Sequence, residues 1–420
     1  MDKNKLIKFI YVLFFILSLT VSACGGGEGG GGEIPPFSLF YSVAVGDLNG
    51  DGLLDVAACY TYIAGPPPHP GFVVVYLQDH TKPGTFLPGK IYSVGNDPVS
   101  IAIGDLNGDG KLDIVTTNSI ASASGVGDST VSVLLQDPAT SGQFLAATNY
   151  PTGKNPLSVV IGDLNSDGKP DLAVADSEGI SILFQNPALP GTFLPLTAIK
   201  GPAASSVAIA DLNGDGKDDI VATNVSGVSV MLQDPVIAGS FLAPTNYAAG
   251  LQPINVAVGD LNGDGKLDIV VANYGSPSDG STASVSVLPQ NPAAPGSFLT
   301  AVNYKADVRS QAVAIADLNG DGKADLAVAN SGTLAGACPP NCGSTGTSVS
   351  VLLQNPAIPG QLQNATNYPA TGDFITWVAI GDMNGDGKSD LVIAQSDGVF
   401  IRFQDPLNPG QFFAATAISK

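Results

Sequence analysis

Seven near-copies of one acidic nonapeptide, typified by DLNGDGKLD, restrict the folds open to this chain more than any other feature. The copies begin at Asp47, Asp105, Asp163, Asp211, Asp260, Asp317 and Asp382, with 48 to 65 residues between successive starts. Self-similarity at a period in this range is typical of solenoids and propellers. We therefore predict that the chain of 420 residues is an array of one repeated supersecondary unit.

Each unit contains four short runs rich in Val, Ile and aromatic residues. In the fifth unit these runs are INVAVGD, LDIVVAN, ASVSVLPQ and FLTAVNY. Gly, Pro, Asn and Asp lie between the runs, which is the pattern of strands joined by turns. The acidic nonapeptide joins the first strand to the second, and a turn with the sequence QDP or QNP, QDH in the first unit, joins the third to the fourth. We read the glutamine of this turn as part of the turn chemistry rather than as a ligand-reading ring.

The first strand of each unit indicates how the units pack. Counting back from the first Asp of the loop, positions −4 and −2 are Val or Ile, whereas positions −3 and −1 are Ala or Gly except at Val160. Side chains alternate between the faces of a strand, so one face carries bulk and the other almost none. This favours an all-β fold, a seven-bladed β-propeller of four-stranded antiparallel blades, in which the small face admits the next blade. A solenoid of stacked hairpins is the alternative, although its end repeats would usually be atypical.

The acidic loop has the donor set of a calcium site. Asp or Asn stands at positions 1, 3, 5 and 9, position 7 offers its backbone carbonyl, and Gly at position 6 permits a tight turn. Hard cations such as Ca²⁺ take six to eight oxygen ligands of these types. No acid occupies position 12, which argues against an EF-hand, and a strand follows at once. Acidic turns without metal are the alternative, and the third loop, with Ser166 and Pro170, is the least regular.

The predicted ligands, for up to seven structural Ca²⁺, are Asp47, Asn49, Asp51, Asp55, Asp105, Asn107, Asp109, Asp113, Asp163, Asn165, Asp167, Asp171, Asp211, Asn213, Asp215, Asp219, Asp260, Asn262, Asp264, Asp268, Asp317, Asn319, Asp321, Asp325, Asp382, Asn384, Asp386 and Asp390. These ligands include 21 of the 37 acidic residues, and seven Ca²⁺ would change the formal net charge from −20 to −6. Seven equivalent sites suit a structural metal better than a catalytic one, which needs a singular, open site.

Together, the motif VAIGDLNGDGKxD and the four-strand unit resemble the FG-GAP or VCBS-type repeat of the integrin α-chain N-terminal propeller and of bacterial proteins built from it. The resemblance covers about residues 37–420. It implies an integrin α-like propeller with calcium-binding loops between strands 1 and 2 of each blade. The FG and GAP sequences themselves are weak here, so the bacterial repeat is the nearer relative.

The N-terminal region predicts export. A basic start, an apolar run and VSAC form a signal sequence in residues 1–23 whose end resembles a bacterial lipobox, which implies lipidation of Cys24. An uncleaved anchor or an ordinary signal is the alternative. The Gly-rich residues 24–36 then form a flexible tether, and residues 37–420 form blades at about 37–92, 93–150, 151–199, 200–247, 248–304, 305–368 and 369–420. We expect an extracytoplasmic protein anchored by lipid to the cell envelope, at the outer membrane or cell surface.

The cysteines agree with an oxidising compartment. Cys338 and Cys342, in CPPNC, are spaced for a small disulfide loop, with two free thiols as the alternative. Cys59 aligns with Thr or Ala in the other units, which predicts a small buried residue.

Composition limits the possible functions. Only 17 basic residues are present and they are scattered, so we expect no nucleic-acid partner. Two histidines and no standout group of Lys, His, Arg or Tyr argue against catalysis.

The rim opposite the acidic loops carries the long, variable loops, which is where binding usually resides. Exposed aromatic candidates on it are Tyr60, Tyr62, Tyr274, Phe374 and Trp377, with packing between blades as the alternative for each. We therefore expect a non-enzymatic, adhesion-like binding module for an unknown protein or glycan. A lectin-type propeller is the alternative, and a polysaccharide lyase or hydrolase is a more distant one.

Overall fold

The computed structural model describes residues 38–63, 68–119, 129–276, 282–334, 344–370, 372 and 374–418, and these form 28 β-strands and no helix. The strands make seven sheets of four consecutive strands each, all antiparallel. The predicted all-β fold of seven four-stranded blades is confirmed.

The first strand of each blade lies at the centre of the ring. These inner strands are β1 (Ser38–Gly46), β5 (Pro98–Gly104), β9 (Ser158–Gly162), β13 (Val207–Ala210), β17 (Pro253–Gly259), β21 (Ser310–Ala316) and β25 (Ile375–Gly381). Each contacts the inner strand of the blades before and after it, and β25 contacts β1. The array is therefore a closed ring, which rules out the solenoid.

The second and third strands are the most buried. The second strands are β2 (Asp55–Tyr62), β6 (Asp113–Asn118), β10 (Asp171–Asp176), β14 (Asp219–Asn224), β18 (Asp268–Asn273), β22 (Asp325–Leu334) and β26 (Asp390–Gln395). The third strands are β3 (Gly71–Tyr76), β7 (Thr130–Leu134), β11 (Gly179–Leu183), β15 (Gly227–Met231), β19 (Ser284–Leu288), β23 (Ser344–Leu352) and β27 (Gly398–Arg402). Near-continuous apolar burial follows because both faces of each blade are covered by neighbouring blades.

The fourth strands form the outer edge and are short and largely exposed, which limits pairing with other chains. They are β4 (Lys90–Val94), β8 (Thr148–Pro151), β12 (Thr197–Lys200), β16 (Thr245–Ala248), β20 (Val302–Lys305), β24 (Thr366–Pro369) and β28 (Thr416–Ala417).

The hydrophobic core consists of seven layers, each lying between two adjacent blades rather than inside one. Tyrosines of strand 4 add aromatic contacts across these layers. The ring of Tyr92 meets that of Phe144 in the next blade edge to face, with ring centres 5.5 Å apart.

The first and last blades close the ring through side chains, since no blade combines strands from the two ends of the chain. Phe40 and Tyr60 of the first blade share one apolar layer with Met383 and Ile401 of the last. The Thr376 hydroxyl also donates a hydrogen bond of 3.1 Å to the carbonyl oxygen of Phe40.

The small face of the inner strand packs as the sequence predicts. A Cβ atom added at Gly104 would lie 2.9 Å from Cδ1 of Ile161 in the next blade, and one at Gly46 would lie 3.4 Å from Cγ2 of Ile103. A residue at position −1 thus faces the branched residue at position −2 of the following blade. Alternation along one strand therefore sets the spacing between blades.

We predict that Gly104→Val destabilises the ring. Its branched side chain would overlap Ile161, and overpacking of this kind costs about 1–3 kcal/mol. The matched control is Gly201→Val, because a Cβ there meets nothing within 4 Å and should change the free energy of unfolding by less than about 0.5 kcal/mol. Urea denaturation measures both. Equal losses for the two variants would show that close blade approach is not what excludes side chains at Gly104.

Candidate functional site

The acidic loops are folded by their own side chains. In the second blade, Asp105 accepts hydrogen bonds from the backbone N–H of Gly108 at 2.7 Å and of Gly110 at 2.8 Å. Asn107 accepts one from the N–H of Asp109 at 2.8 Å, and Asp109 accepts one from the N–H of residue 111 at 2.9 Å. Gly108 and Gly110 have φ of +76° and +81°, which side chains rarely adopt. The sequence DLNGDGK thus specifies this turn locally.

The aspartate at position 9 has a different environment from those at positions 1 and 5. Asp113 is completely buried at the start of β6. Its two carboxylate oxygens accept the backbone N–H of Leu106, at 2.9 Å, and of Gln136, at 2.7 Å. The pKa of Asp113 is raised to about 6, chiefly by burial and also by the charges of Asp109 and Asp105. The two hydrogen bonds partly oppose this shift.

The same pair of hydrogen bonds recurs in every blade, at Asp55, Asp113, Asp171, Asp219, Asp268, Asp325 and Asp390. Each of these carboxyl groups has a raised pKa, mainly because of burial, to about 7 at Asp171. One buried carboxylate therefore joins the first hairpin of a blade to the end of its third strand.

The predicted metal ligands fit a hard cation in donor chemistry. Every loop offers carboxylate, amide and carbonyl oxygens, and a carboxylate that accepts N–H groups keeps further lone pairs. The three carboxylates of a loop interact, since Asp47 and Asp51 both raise the pKa of Asp55, and a divalent cation would relieve this repulsion. Among the residues that the structure describes, no group of three or more His, Cys, Asp and Glu side chains is arranged to hold a metal ion. The carboxylates accept loop N–H groups instead.

The irregular third loop keeps the same turn. Ser166 replaces the first glycine and has φ of +58°, a conformation that is costly for a residue with a side chain. Its hydroxyl donates a hydrogen bond of 2.9 Å to Oε1 of Gln233 in the next blade, which offsets part of that cost.

Glutamines of the strand 3–4 turn bind two acidic loops at once, a role that turn chemistry did not predict. Nε2 of Gln136 donates to the carbonyl of Leu112 in its own blade at 3.0 Å and to that of Leu48 in the preceding blade at 2.8 Å. We call this arrangement the glutamine clasp. It recurs at Gln185, Gln233, Gln290, Gln354 and Gln404. The sequence signal for this role was a glutamine in every repeat, since a turn of Asx, Pro and Gly does not itself need glutamine.

The rim opposite the acidic loops concentrates unusual backbone conformations. Of the seven non-glycine residues with positive φ in the described part of the chain, only Ser166 lies in an acidic loop. The others lie at the entry to inner strands or, for Thr282, before a third strand: Asp97, Asn155, Gln252, Thr282, Arg309 and Phe374. Strained residues of this type cluster at functional sites in other proteins.

Two of these residues form buried contacts that the sequence analysis missed. Oδ1 of Asp97 lies 3.0 Å from Nδ1 of His69, and Oδ2 accepts the backbone N–H of His69 at 3.2 Å. The guanidinium carbon of Arg309 lies 5.6 Å from the centre of the Tyr274 ring, close enough for a cation–π contact. Both contacts join the loop between strands 2 and 3 of one blade to the following blade.

The aromatic candidates divide by exposure. Tyr60 and Tyr274 are only 1% exposed, so their predicted exposure is wrong, and Tyr60 stacks between Phe40 and Phe72. Extra residues at the start of β1 pair with the end of β2 and cover Tyr60. The side chains of Tyr62, Phe374 and Trp377 are half-buried. Trp377 packs against two apolar layers, as the packing alternative predicted.

Asparagines that end the second strands form a cross-strand network rather than simple turn caps. Asn118 donates to the Ser132 hydroxyl at 2.8 Å, and that hydroxyl donates to Asn149 at 2.7 Å. Ser132 also accepts the backbone N–H of Gly95, in the connection from the preceding blade, at 3.0 Å. In the short hairpin at Asn224 the side chain also caps the turn, because Asn224 accepts the N–H of residue 226.

Cys24, Cys338 and Cys342 lie outside the described residues. Cys59 is a fully buried free thiol, as predicted. In the part of the chain that the structure describes, no helix has the length and apolarity needed to cross a membrane.

Comparison with known proteins identifies the repeat. The FG-GAP-like repeat family model matches residues 60–116, 120–174, 163–222, 211–271 and 260–328, and the FG-GAP repeat model matches residues 39–60. A search of curated proteins gave no match.

Solved structures with this fold have varied functions. A putative 6-phosphogluconolactonase from Bacteroides uniformis is similar with a TM-score of 0.58 and 16% identity, over 87% of this chain and 97% of that one. A lectin of Agrocybe aegerita that recognises non-reducing terminal N-acetylglucosamine has a TM-score of 0.51 and 19% identity, over 86% of each chain. A rhamnogalacturonan lyase has a TM-score of 0.50 and 18% identity, over 90% of this chain and 74% of that one. At these identities the similarity shows the propeller fold alone.

Proposed function

Because this chain belongs to the FG-GAP-like repeat family, whose model spans more than half of it, we propose that it is a calcium-stabilised, membrane-anchored binding module with no catalytic role. Its ligand would be a protein or glycan of the cell envelope, bound on the rim opposite the acidic loops. The distribution of irregular structure between the two rims is the observation that carries this proposal.

The two rims differ in regularity. The acidic loops repeat the same hydrogen bonds in all seven blades, so that rim offers no singular site. The opposite rim carries six of the seven strained non-glycine residues and the hairpin of β22 and β23, which extends beyond the usual pair Asn330 and Ser348 to Leu334 and Ser344. A rigid scaffold with one irregular rim is the usual arrangement of a binding protein.

Calcium would act as a structural ion. In the second blade Asp105, Asn107, Asp109, the carbonyl of Lys111 and Asp113 would hold it. When bound, the ion would supply positive charge that offsets the repulsion among the three carboxylates. Seven equivalent loops favour this role over catalysis.

The anchor proposal rests on the signal sequence and Cys24, with the Gly-rich residues 24–36 as a tether. β1 begins on the rim opposite the acidic loops, so an anchored chain would hold that rim towards the membrane within about 20 Å, the mean reach of a flexible linker of this length. This placement favours an envelope component as ligand. Cys24→Ser should release the protein from the membrane fraction, and a variant that stayed bound would contradict lipidation.

The pH dependence of stability should have opposite signs with and without calcium. In chelator, burial raises the pKa of the position 9 carboxyls in the folded protein, to about 6 at Asp55, Asp113 and Asp325, from 3.8 when unfolded, so the folded state binds protons more tightly. The free energy of unfolding should therefore fall as pH rises from about 4 to about 7. In calcium it should rise over the same range, because protons compete with the ion.

Melting curves at several pH values, in chelator, calcium or magnesium, measure this difference. At a calcium concentration 100 times Kd, each loop would add about 2.7 kcal/mol. Magnesium is the matched control ion, since it demands a more rigid octahedral site. Identical curves in chelator and calcium would contradict the structural-metal proposal.

A carbohydrate ligand is the second candidate. The lectin with this fold binds a terminal sugar, and Tyr62 and Phe374 are partly exposed aromatic side chains on the irregular rim of this chain. Aromatic faces of this kind stack on sugars as well as on protein side chains. The two candidates differ in whether purified glycans alone are bound.

We predict that shortening the blade 6 hairpin weakens ligand binding. Ser331 and Thr347 are paired across the hairpin, so an Asn-Gly turn can replace residues 332–346 without disturbing the sheet. Binding of the calcium-loaded chain to isolated envelopes and to a glycan array measures the effect, with Tyr62→Ala as a second rim variant.

The control is Leu407→Ser, on an exposed turn of the acidic rim. Loss of binding in the rim variants but not in the control is expected. Glycan binding that requires Tyr62 would favour the lectin. Binding lost only in Leu407→Ser would place the ligand on the acidic rim and contradict the proposal.

A further inference from the structure

We propose that the seven acidic loops are coupled around the closed ring, so that a cation bound in one loop raises the calcium affinity of the loops in adjacent blades. This inference rests on the proposed calcium binding but goes beyond it, because independent sites would stabilise the protein equally well. Two contacts repeated between blades and one within blades carry the argument.

The glutamine clasp is the first contact. The backbone N–H of Gln136 donates to Asp113, the position 9 carboxylate of its own loop. The amide of the same residue donates to Leu48 O, at position 2 of the preceding loop. Gln136, a buried residue that is 3% exposed, therefore contacts the proposed ligand set of its own loop and the backbone of the preceding loop. Such a residue can satisfy both partners only when both loops hold their positions.

A close backbone approach is the second contact. The glycine after the clasp lies against the position 3 asparagine of the preceding loop, a proposed ligand. A Cβ at Gly142 would be 3.1 Å from Cβ of Asn49. The contact occurs at all seven junctions, with the pairs Gly84–Asn384, Gly142–Asn49, Gly191–Asn107, Gly239–Asn165, Gly296–Asn213, Gly360–Asn262 and Gly410–Asn319. The pair Gly84–Asn384 joins the first blade to the last, so the series has no end.

The third contact, given for four blades, binds the turn to its own loop. Nζ of Lys111, at position 7, donates to the carbonyls of Asp137 and Pro138 at 3.3 and 3.0 Å. Lys217, Lys266 and Lys323 reach the equivalent turns of their blades. The turn is thus attached to a loop at each side, through lysine within the blade and through glycine and glutamine across the junction.

These contacts predict positive cooperativity. An empty loop contains three mutually repelling carboxylates, and ordering it for a cation costs conformational entropy. A filled loop fixes the carbonyl and the asparagine against which the next turn packs, so the neighbouring loop needs less ordering when it binds. The coupling is reciprocal, and a typical coupling free energy corresponds to an affinity gain of about 5-fold or more for each filled neighbour.

Electrostatic coupling between loops would have the opposite sign. Each bound cation makes the rim less negative and lowers the affinity of the remaining loops. Charges separated by more than about 8 Å are largely screened at physiological salt, whereas contacts are not. Cooperativity carried by the clasp should therefore persist as salt is raised.

Calcium alone, titrated into the chelator-stripped full chain and followed by isothermal calorimetry, tests the inference. We expect a Hill coefficient above 1 at both low and high salt. The double variant Gln233→Met and Gln290→Met removes the clasps on either side of the fourth loop, and nearly preserves side-chain volume. It should leave the number of sites unchanged but produce a separate phase with at least about 5-fold weaker affinity.

Gln361→Met is the matched control, since the side chain of this exposed glutamine accepts a hydrogen bond from Asn355 within its own turn and reaches no acidic loop. Its isotherm should equal that of the unaltered chain. Near-ultraviolet circular dichroism at saturating calcium checks that the variants fold.

Asp211→Asn supplies a second test that leaves every clasp intact. With coupling, weakening the fourth loop should also weaken binding at the third and fifth, so about three sites shift rather than one. A Hill coefficient of 1 for the unaltered chain, with a single site lost in Asp211→Asn, would overturn the inference while leaving calcium binding in place. A chain that binds no calcium would instead contradict the proposed function.

Discussion

A buried carboxylate held by two backbone N–H groups is the interaction on which most of this propeller depends. The aspartate at position 9, Asp113 in the second blade, begins the second strand, closes the acidic loop through Leu106 and fixes the end of the third strand through Gln136. An ionised group is costly to bury unless its oxygens are hydrogen-bonded. The chain meets this requirement with backbone groups from two separate elements, so the same charge that raises the cost of folding also determines how the hairpins join.

The propeller architecture was predictable because it follows from periodic patterns that are local in the sequence. Repeats of about 50 residues, turn residues between strand-like runs, and the alternation of Ile with Gly along the inner strand all depend on near neighbours in sequence. The approach of Gly104 to Ile161 shows why the alternation is informative: at the centre of a ring, a missing side chain is a packing requirement. Ring closure between Phe40 and Met383 followed from repeat number rather than from any motif.

Contacts between blades were less predictable, because their partners lie far apart in sequence. Gln136 and Leu48 are 88 positions apart in sequence, so no local pattern predicts the clasp. A glutamine in every repeat nevertheless marked the position as special. The prediction that Tyr60 is exposed was wrong for the same reason. Tyr60 belongs to a loop-like stretch, yet the extra residues at the start of β1 pair with β2 and bury its ring. The buried pair of His69 and Asp97 likewise joins two segments that no local pattern connects.

Repetition itself explains why the two rims differ. A residue that serves blade packing must recur in each blade, and the acidic rim meets this demand at Asp113, at Gln136 and at the glycine beside Asn49. A ligand that is not sevenfold symmetric needs a place where repeats differ from one another. The connections that enter the inner strands differ from blade to blade where they pass the strand 2 asparagines. Asp97, Gln252 and Arg309 occupy one position in three blades with three different buried side chains, Asp97 against His69 and Arg309 against Tyr274. Such diversity on an otherwise uniform scaffold is the physical condition for recognising one partner rather than many.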